Sequence, residues 1–197
     1  MENVALMRMA KESLRDKWGL AVGTFFVYSL IVGGGSFTGL ATLILGGPMA
    51  LGLVIFALAI SRNQEARFEQ LFKGFNNFGT ALGAYLFMIL FVILWSILFI
   101  IPGIIAALSY AMTFYIMADD PSIDAMAAID KSKKMMYGYK WKFLCLNLRF
   151  LGWAILCLFT FGIGFLFLIP YMHISFAKFY DDIKGSQTAE ETVETNM

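Results

Sequence analysis

The chain has 197 residues, of which 59% are hydrophobic and 15% charged, against roughly 45–50% and 25% in an ordinary soluble domain. That balance argues against a water-soluble globule, and a net charge of +1 without a basic stripe interleaved with aromatics argues against a nucleic-acid partner. One histidine, His173, and two cysteines, Cys145 and Cys157, offer no metal-ligand spacing, so no metal and no cofactor is expected.

Three stretches carry no Lys, Arg, Asp or Glu: Trp18–Ser61, Gly74–Ala118 and Phe150–Ala177. The first two are about twice the ~20 residues that a helix needs to cross a bilayer core, so each reads as a helical hairpin. The expectation is an all-α polytopic membrane helical bundle. It has six transmembrane helices in Pro/Gly-broken hairpins plus amphipathic surface helices. A single domain is placed over residues 1–185 and a disordered cytoplasmic tail over 186–197.

Residues 3–17 predict a short helix, with Val4, Met7, Leu14 and Trp18 recurring near helical spacing and Arg8, Lys11, Arg15 and Lys17 beside them. Such a helix suits the headgroup layer; a frayed polar leader is the alternative. The start could imitate a signal peptide, but Glu2, Glu12 and Asp16 and the spans that follow favour an uncleaved first span. Span 1 covers Trp18–Val32. Span 2 covers Gly39–Ile60, and Gly46-Gly47-Pro48 predicts a break with the regular helix restarting at Pro48. In the charged connector Ser61–Lys73, Phe68, Leu71 and Phe72, with Phe75 just past it, suit a membrane surface. Spans 3 and 4 cover Phe78–Ile100 and Pro102–Ala118, reversing at Ile101-Pro102-Gly103.

The next connector predicts a surface helix over 121–138, with Asp120 as N-cap, Pro121 at its first position and Gly138 at its end. Ala125, Ala128, Ile129, Ser132, Met135, Met136 and Tyr139 share one face, while Lys131, Lys133 and Lys134 lie on the other, near anionic headgroups. Span 5 covers Trp141–Thr160 and reverses at Gly162-Ile163-Gly164. Span 6 covers Phe165–Tyr180 with a kink or restart at Pro170. Under this layout the outer connectors are uncharged and the basic residues collect on the other side, which places both termini in the cytoplasm. Pro48, Pro102 and Pro170 each introduce a returning helix, an architectural similarity at unequal spacings of 54 and 68.

Several phrases carry a resemblance: Gly47-Pro48-Met49-Ala50-Leu51-Gly52-Leu53, Leu71-Phe72-Lys73-Gly74-Phe75-Asn76-Asn77-Phe78-Gly79, Ile101-Pro102-Gly103-Ile104-Ile105, Ala118-Asp119-Asp120-Pro121 and Ala128-Ile129-Asp130-Lys131-Ser132. In order over residues 10–182, they resemble the bacterial membrane-protein family DUF975. The layout is more distantly similar to YciC-like proteins and to the membrane domain of some glycerophosphodiester phosphodiesterases. The resemblance implies a multi-pass protein of the bacterial inner membrane and brings no activity, cofactor or catalytic residue.

Arg149 lies seven positions past Lys142, about 10 Å deeper along a helix, with no acidic residue inside any span. It snorkels to the headgroups, holds an anionic lipid or substrate, or pairs with a cytoplasmic Asp that dips inward, with Asn147 nearby. His173, Ser109 and Thr113 are polar residues within spans. Hydrogen bonds that glue helices explain them, a cavity lining less readily. Asp119, Asp120 and Asp124 could face Asp181-Asp182 around a divalent ion, but capping and solvation account for them without one. Gly19-x-x-x-Gly23 and Gly79-x-x-x-Gly83 permit close helix packing or a homo-oligomer. The leading expectation is a non-enzymatic module that binds membrane lipids, anionic ones included, or a membrane-protein partner. The alternative is a small transporter or lipid flippase built on the Pro-bearing helices.

Overall fold

The computed structural model describes residues 2–34, 40–98, 100–160 and 162–195, and their regular elements are all helical. In chain order these are α1 (Asn3–Ser13), α2 (Trp18–Gly34), α3 (Leu40–Ser61), a 3-10 helix (Phe68–Asn77), α4 (Phe78–Leu98) and α5 (Ile100–Tyr110). Then come α6 (Thr113–Asp119), α7 (Ala125–Met135), α8 (Lys140–Leu158) and α9 (Phe165–Thr195).

A helix that is apolar all round belongs in the interior, and α3 takes that place. Met49, Leu51, Leu53, Phe56, Ala57 and Ile60 are all buried, packed by α2, α4, α6, α9 and the 3-10 helix. By contrast, α4 and α8 are peripheral. Leu86, Leu90, Leu94 and Ile97 form an exposed stripe on α4, and Leu148, Leu151, Ile155 and Leu158 form one on α8, at three- and four-residue steps. Contiguous apolar surface on that scale marks contact with lipid or protein. Among the described residues four segments are long and apolar enough to cross a membrane: Leu43–Ser61, Phe68–Ile97, Ile101–Asp119 and Lys140–Leu158. Trp18–Gly33 is a shorter apolar helix, and the apolar run that opens α9 is interrupted by Lys178, Asp181 and Asp182.

Each hairpin has a charged helical segment in front of it: α1 before α2–α3, the 3-10 helix before α4–α5–α6, and α7 before α8–α9. Each of these segments packs on the returning helix of the preceding hairpin. The 3-10 helix lies on α3, α7 lies on α5 and α6, and α1 closes the circle on α9.

The local details depart from the sequence reading in several places. Helix α3 runs through Pro48 and α9 through Pro170 without interruption. The discontinuity in the second hairpin lies instead at Ala111–Met112, between α5 and α6, while Pro102 sits in the first turn of α5, where a missing N–H costs nothing. Ser96 of α4 lies where a side chain on Gly103 would stand, so the two arms of that hairpin touch there. Asp120 does not cap α7. Its carboxylate accepts the Ser122 N–H at 3.1 Å and the Ser122 hydroxyl at 2.6 Å, closing a turn, and Asp124 caps the helix by accepting the Met126 N–H at 3.1 Å. Gly138 at φ 82° ends the segment after α7, and Gly162 at φ 84° begins the α8–α9 reversal, both in the left-handed region glycine favours. The proposed turn at 33–38 falls largely outside the described residues. Helix α9 continues to Thr195, past the boundary placed at residue 185.

The two amphipathic helices turn their apolar faces to protein and not to headgroups. Leu6, Met7, Ala10 and Leu14 are buried around α1, and Ala128, Ile129, Ser132 and Met135 are buried on α7.

Candidate functional site

The break between α5 and α6 frees backbone groups that a buried site must satisfy. Ser132 of α7 supplies both partners. Its hydroxyl accepts the Met112 N–H at 3.2 Å and donates to the Ser109 carbonyl at 2.8 Å, and the residue is fully buried. Pinning α7 there carries its next residue, Lys133, to a lateral groove of about 210 Å³. Trp95 of α4, Pro102, Ser109 and Tyr110 of α5, and Lys140 at the start of α8 line the same groove. Among the described residues no hydrogen bond or ion pair engages Lys133 or Lys140. The site is thus an apolar furrow with two free ammonium groups, walled on the α4 side by the half-exposed Trp95.

The other sequence candidates scatter. Lys131 and Lys134 are exposed on α7 and do not line the groove. Asn147 donates to the Phe143 carbonyl at 2.8 Å and borders a different furrow, about 500 Å³, between α8 and α9. Arg149 is exposed on α8, not enclosed by the bundle. Ser109 and Thr113 donate their hydroxyl hydrogens to the carbonyls of Ile105 and Tyr110, within their own rod. His173 contacts the rings of Phe25, at 5.1 Å, and Phe176, at 6.3 Å. The helix-gluing hydrogen bond expected of it is absent among the described residues, and Ser175 donates to the Tyr171 carbonyl.

A second constellation was not foreseen. Arg62, just past α3, donates to both carboxylate oxygens of Asp119 at 2.7 and 3.0 Å, and to Asp181 Oδ1 from Nη2 at 2.7 Å. Tyr180 donates to Asp119 at 3.0 Å, Lys184 pairs with the same carboxylate, and the Lys178 ammonium donates to the Ser61 carbonyl. The two aspartate clusters do converge, but a guanidinium stands between Asp119 and Asp181 where a metal had been considered. One planar, five-donor group ties the ends of α3 and α6 to the middle of α9, an arrangement that acts as a clasp. The sequence signal was weak: partners 57 and 119 residues apart.

The glycines that allow close approach also differ from those singled out. Nothing lies within 4 Å of a side chain built on Gly19, Gly23 or Gly79. Backbone meets backbone instead where Gly52 faces the Leu71 carbonyl, Gly74 faces the Pro48 carbonyl and Gly47 faces Ala81.

A family model described as "Protein of unknown function (DUF975)" matches residues 1–110 and 97–187. The chain belongs to the DUF975 family. No curated protein and no solved structure matches it. Several of the phrases that carry the DUF975 resemblance hold close contacts between elements. Gly47-Pro48 and Gly52 meet the Leu71–Gly74 phrase, Asp119 holds Arg62, and Ser132 fills the α5–α6 break.

Proposed function

We propose that this protein is a non-enzymatic, multi-pass module of a bacterial inner membrane that binds anionic phospholipid in the Lys133–Lys140 groove. The proposal takes six membrane crossings, with α2 and the first half of α9 as the short ones. Both termini and the charged segments α1, 3-10 and α7 then face the cytoplasm, following the basic residues.

The observation that carries the reading is the pair of unpartnered lysines lining an apolar furrow walled by the half-exposed Trp95. A lipid fits that combination by its two parts: acyl chains against Trp95, Pro102 and Ile105, and a phosphate between two ammonium groups. Lys131 and Lys134, exposed on the same helix, add charge facing an anionic leaflet. Thr24, Ser109, Thr113 and Ser175 all bond to carbonyls of their own helices or the adjoining turn, which favours packing roles over a path for solute.

Native mass spectrometry of the detergent-purified protein, titrated with phosphatidylglycerol or phosphatidylcholine, tests the reading. Phosphatidylglycerol is retained preferentially, and Lys133→Gln with Lys140→Gln removes a bound lipid. Equal retention of the two lipids, or an unchanged count in the double variant, defeats it. Flux of lipid or ions through reconstituted liposomes would point to the transporter alternative instead.

A further inference from the structure

The first and third hairpin units share a register. Helices α1 and α7 begin at Asn3 and Ala125, α2 and α8 at Trp18 and Lys140, and the returning helices carry Pro48 and Pro170. Each pair is separated by 122 residues. The buried positions of α1 and its turn, Leu6, Met7, Ala10, Ser13 and Leu14, map at the same offset onto Ala128, Ile129, Ser132, Met135 and Met136, all of them buried. Lys11 and Lys133 then correspond, both at the ninth position of their helices.

This correspondence extends to the surroundings. A groove of about 290 Å³ lies beside Lys11, and Lys11, Trp18, Trp153 and Tyr171 of its lining stand on elements equivalent to those that carry Lys133, Lys140, Trp95 and Tyr110. Trp18 opens α2 as Lys140 opens α8. Trp153 stands on the preceding outgoing helix as Trp95 does, and Tyr171 on the preceding returning helix as Tyr110 does. Both tryptophans are about half exposed, at 52% and 44%. The second cation differs in origin. Arg149, exposed on α8, is four residues before Trp153 and therefore on the same side of the helix, and its charge acts on Tyr171. Neither Lys11 nor Arg149 has a hydrogen bond or ion pair among the described residues.

We infer that this groove is a second anionic-phospholipid site, with Lys11 and Arg149 as its phosphate-binding cations and the Trp153–Tyr171 wall receiving an acyl chain. The inference rests on the lipid-binding reading of the first groove and adds a second lipid per chain. It also assigns Arg149, which otherwise sits charged on a lipid-facing surface with no partner of its own. At the third junction the 3-10 helix instead lies backbone to backbone on α3 at Gly52 and Gly74.

Native mass spectrometry of the full chain with phosphatidylglycerol separates the two claims. Wild type retains two lipids; Lys11→Gln with Arg149→Gln retains one; Lys133→Gln with Lys140→Gln retains one; the quadruple variant retains none. The charge-preserving pair Lys11→Arg with Arg149→Lys retains two, which distinguishes lost charge from lost folding. If Lys11→Gln with Arg149→Gln keeps the wild-type count while Lys133→Gln with Lys140→Gln loses a lipid, the second site is overturned and the first stands. If wild type retains no phosphatidylglycerol, or retains phosphatidylcholine equally, both are overturned.

Discussion

Ser132 accepts the backbone N–H of Met112 at 3.2 Å, so a hydroxyl on a charged, lysine-rich helix completes the hydrogen bonding of an otherwise apolar rod. The same hydroxyl donates to the Ser109 carbonyl at 2.8 Å. The α5–α6 break and the position of α7 therefore depend on each other: without α7 the break exposes unsatisfied groups, and without the break Ser132 has nothing to bind.

Replacing Ser132 with alanine strands a buried donor and a buried acceptor. Leaving such groups unpaired costs about 1–3 kcal/mol. Ser132→Ala is expected to lower the thermal midpoint in detergent by several degrees and to reduce lipid retention at the Lys133 groove. Lys131→Ala, on the exposed face of the same helix, leaves the midpoint unchanged. Equal midpoints for Ser132→Ala and wild type would show that water or a neighbouring group replaces the hydroxyl.

Much of this architecture was legible because its signals are local. Charge-free runs gave the hairpins, and three- and four-residue apolar spacing picked out the buried side of α7, Ser132 included. What stayed hidden depends on distance in the chain or on competition between nearby groups. Nothing near Arg62 announces Asp119 or Asp181, since the approach of the α3 and α6 ends to the middle of α9 decides that pairing. The start of α7 was misplaced because Asp120 and Asp124 are equally good caps by type, and only the Ser122 turn withdraws Asp120 from that role. The apolar face of α1 was visible, but a periodic pattern does not tell a lipid surface from α9.

Asp182 gives the fold a dependence on acid. Burial pushes its carboxyl up, but the hydrogen bond from Lys142 at 2.9 Å, with charges nearby, holds it below the ordinary carboxylate range. A carboxylate depressed in the folded state adds stability that is fully present above the unfolded value of about 4 and disappears as pH falls through the folded value. Wild-type thermal midpoints are expected to be level from neutral pH down to about 5 and to fall below that. In Asp182→Asn the midpoint starts lower at pH 7, and the gap from wild type narrows on acidification. Parallel curves for the two proteins between pH 7 and 3 would assign the acid sensitivity elsewhere.

The two classes of glycine should respond oppositely to the same substitution. At Gly52 an added methyl runs into the Leu71 carbonyl, and backbone cannot swing aside as a side chain tip can. Overpacking of this kind typically costs about 1–3 kcal/mol, and here it also pries the 3-10 helix from α3. Gly23 is exposed within α2 and has nothing within 4 Å of the added atom. There alanine gains roughly 0.8–1 kcal/mol of helix propensity over glycine. Gly52→Ala is therefore expected to lower the thermal midpoint markedly and Gly23→Ala to raise it slightly. If Gly23→Ala instead destabilises the protein, or dissociates an oligomer on a sizing column, that face of α2 carries a contact with another chain. Indifference at Gly52 would mean that the 3-10 helix does not lie against α3.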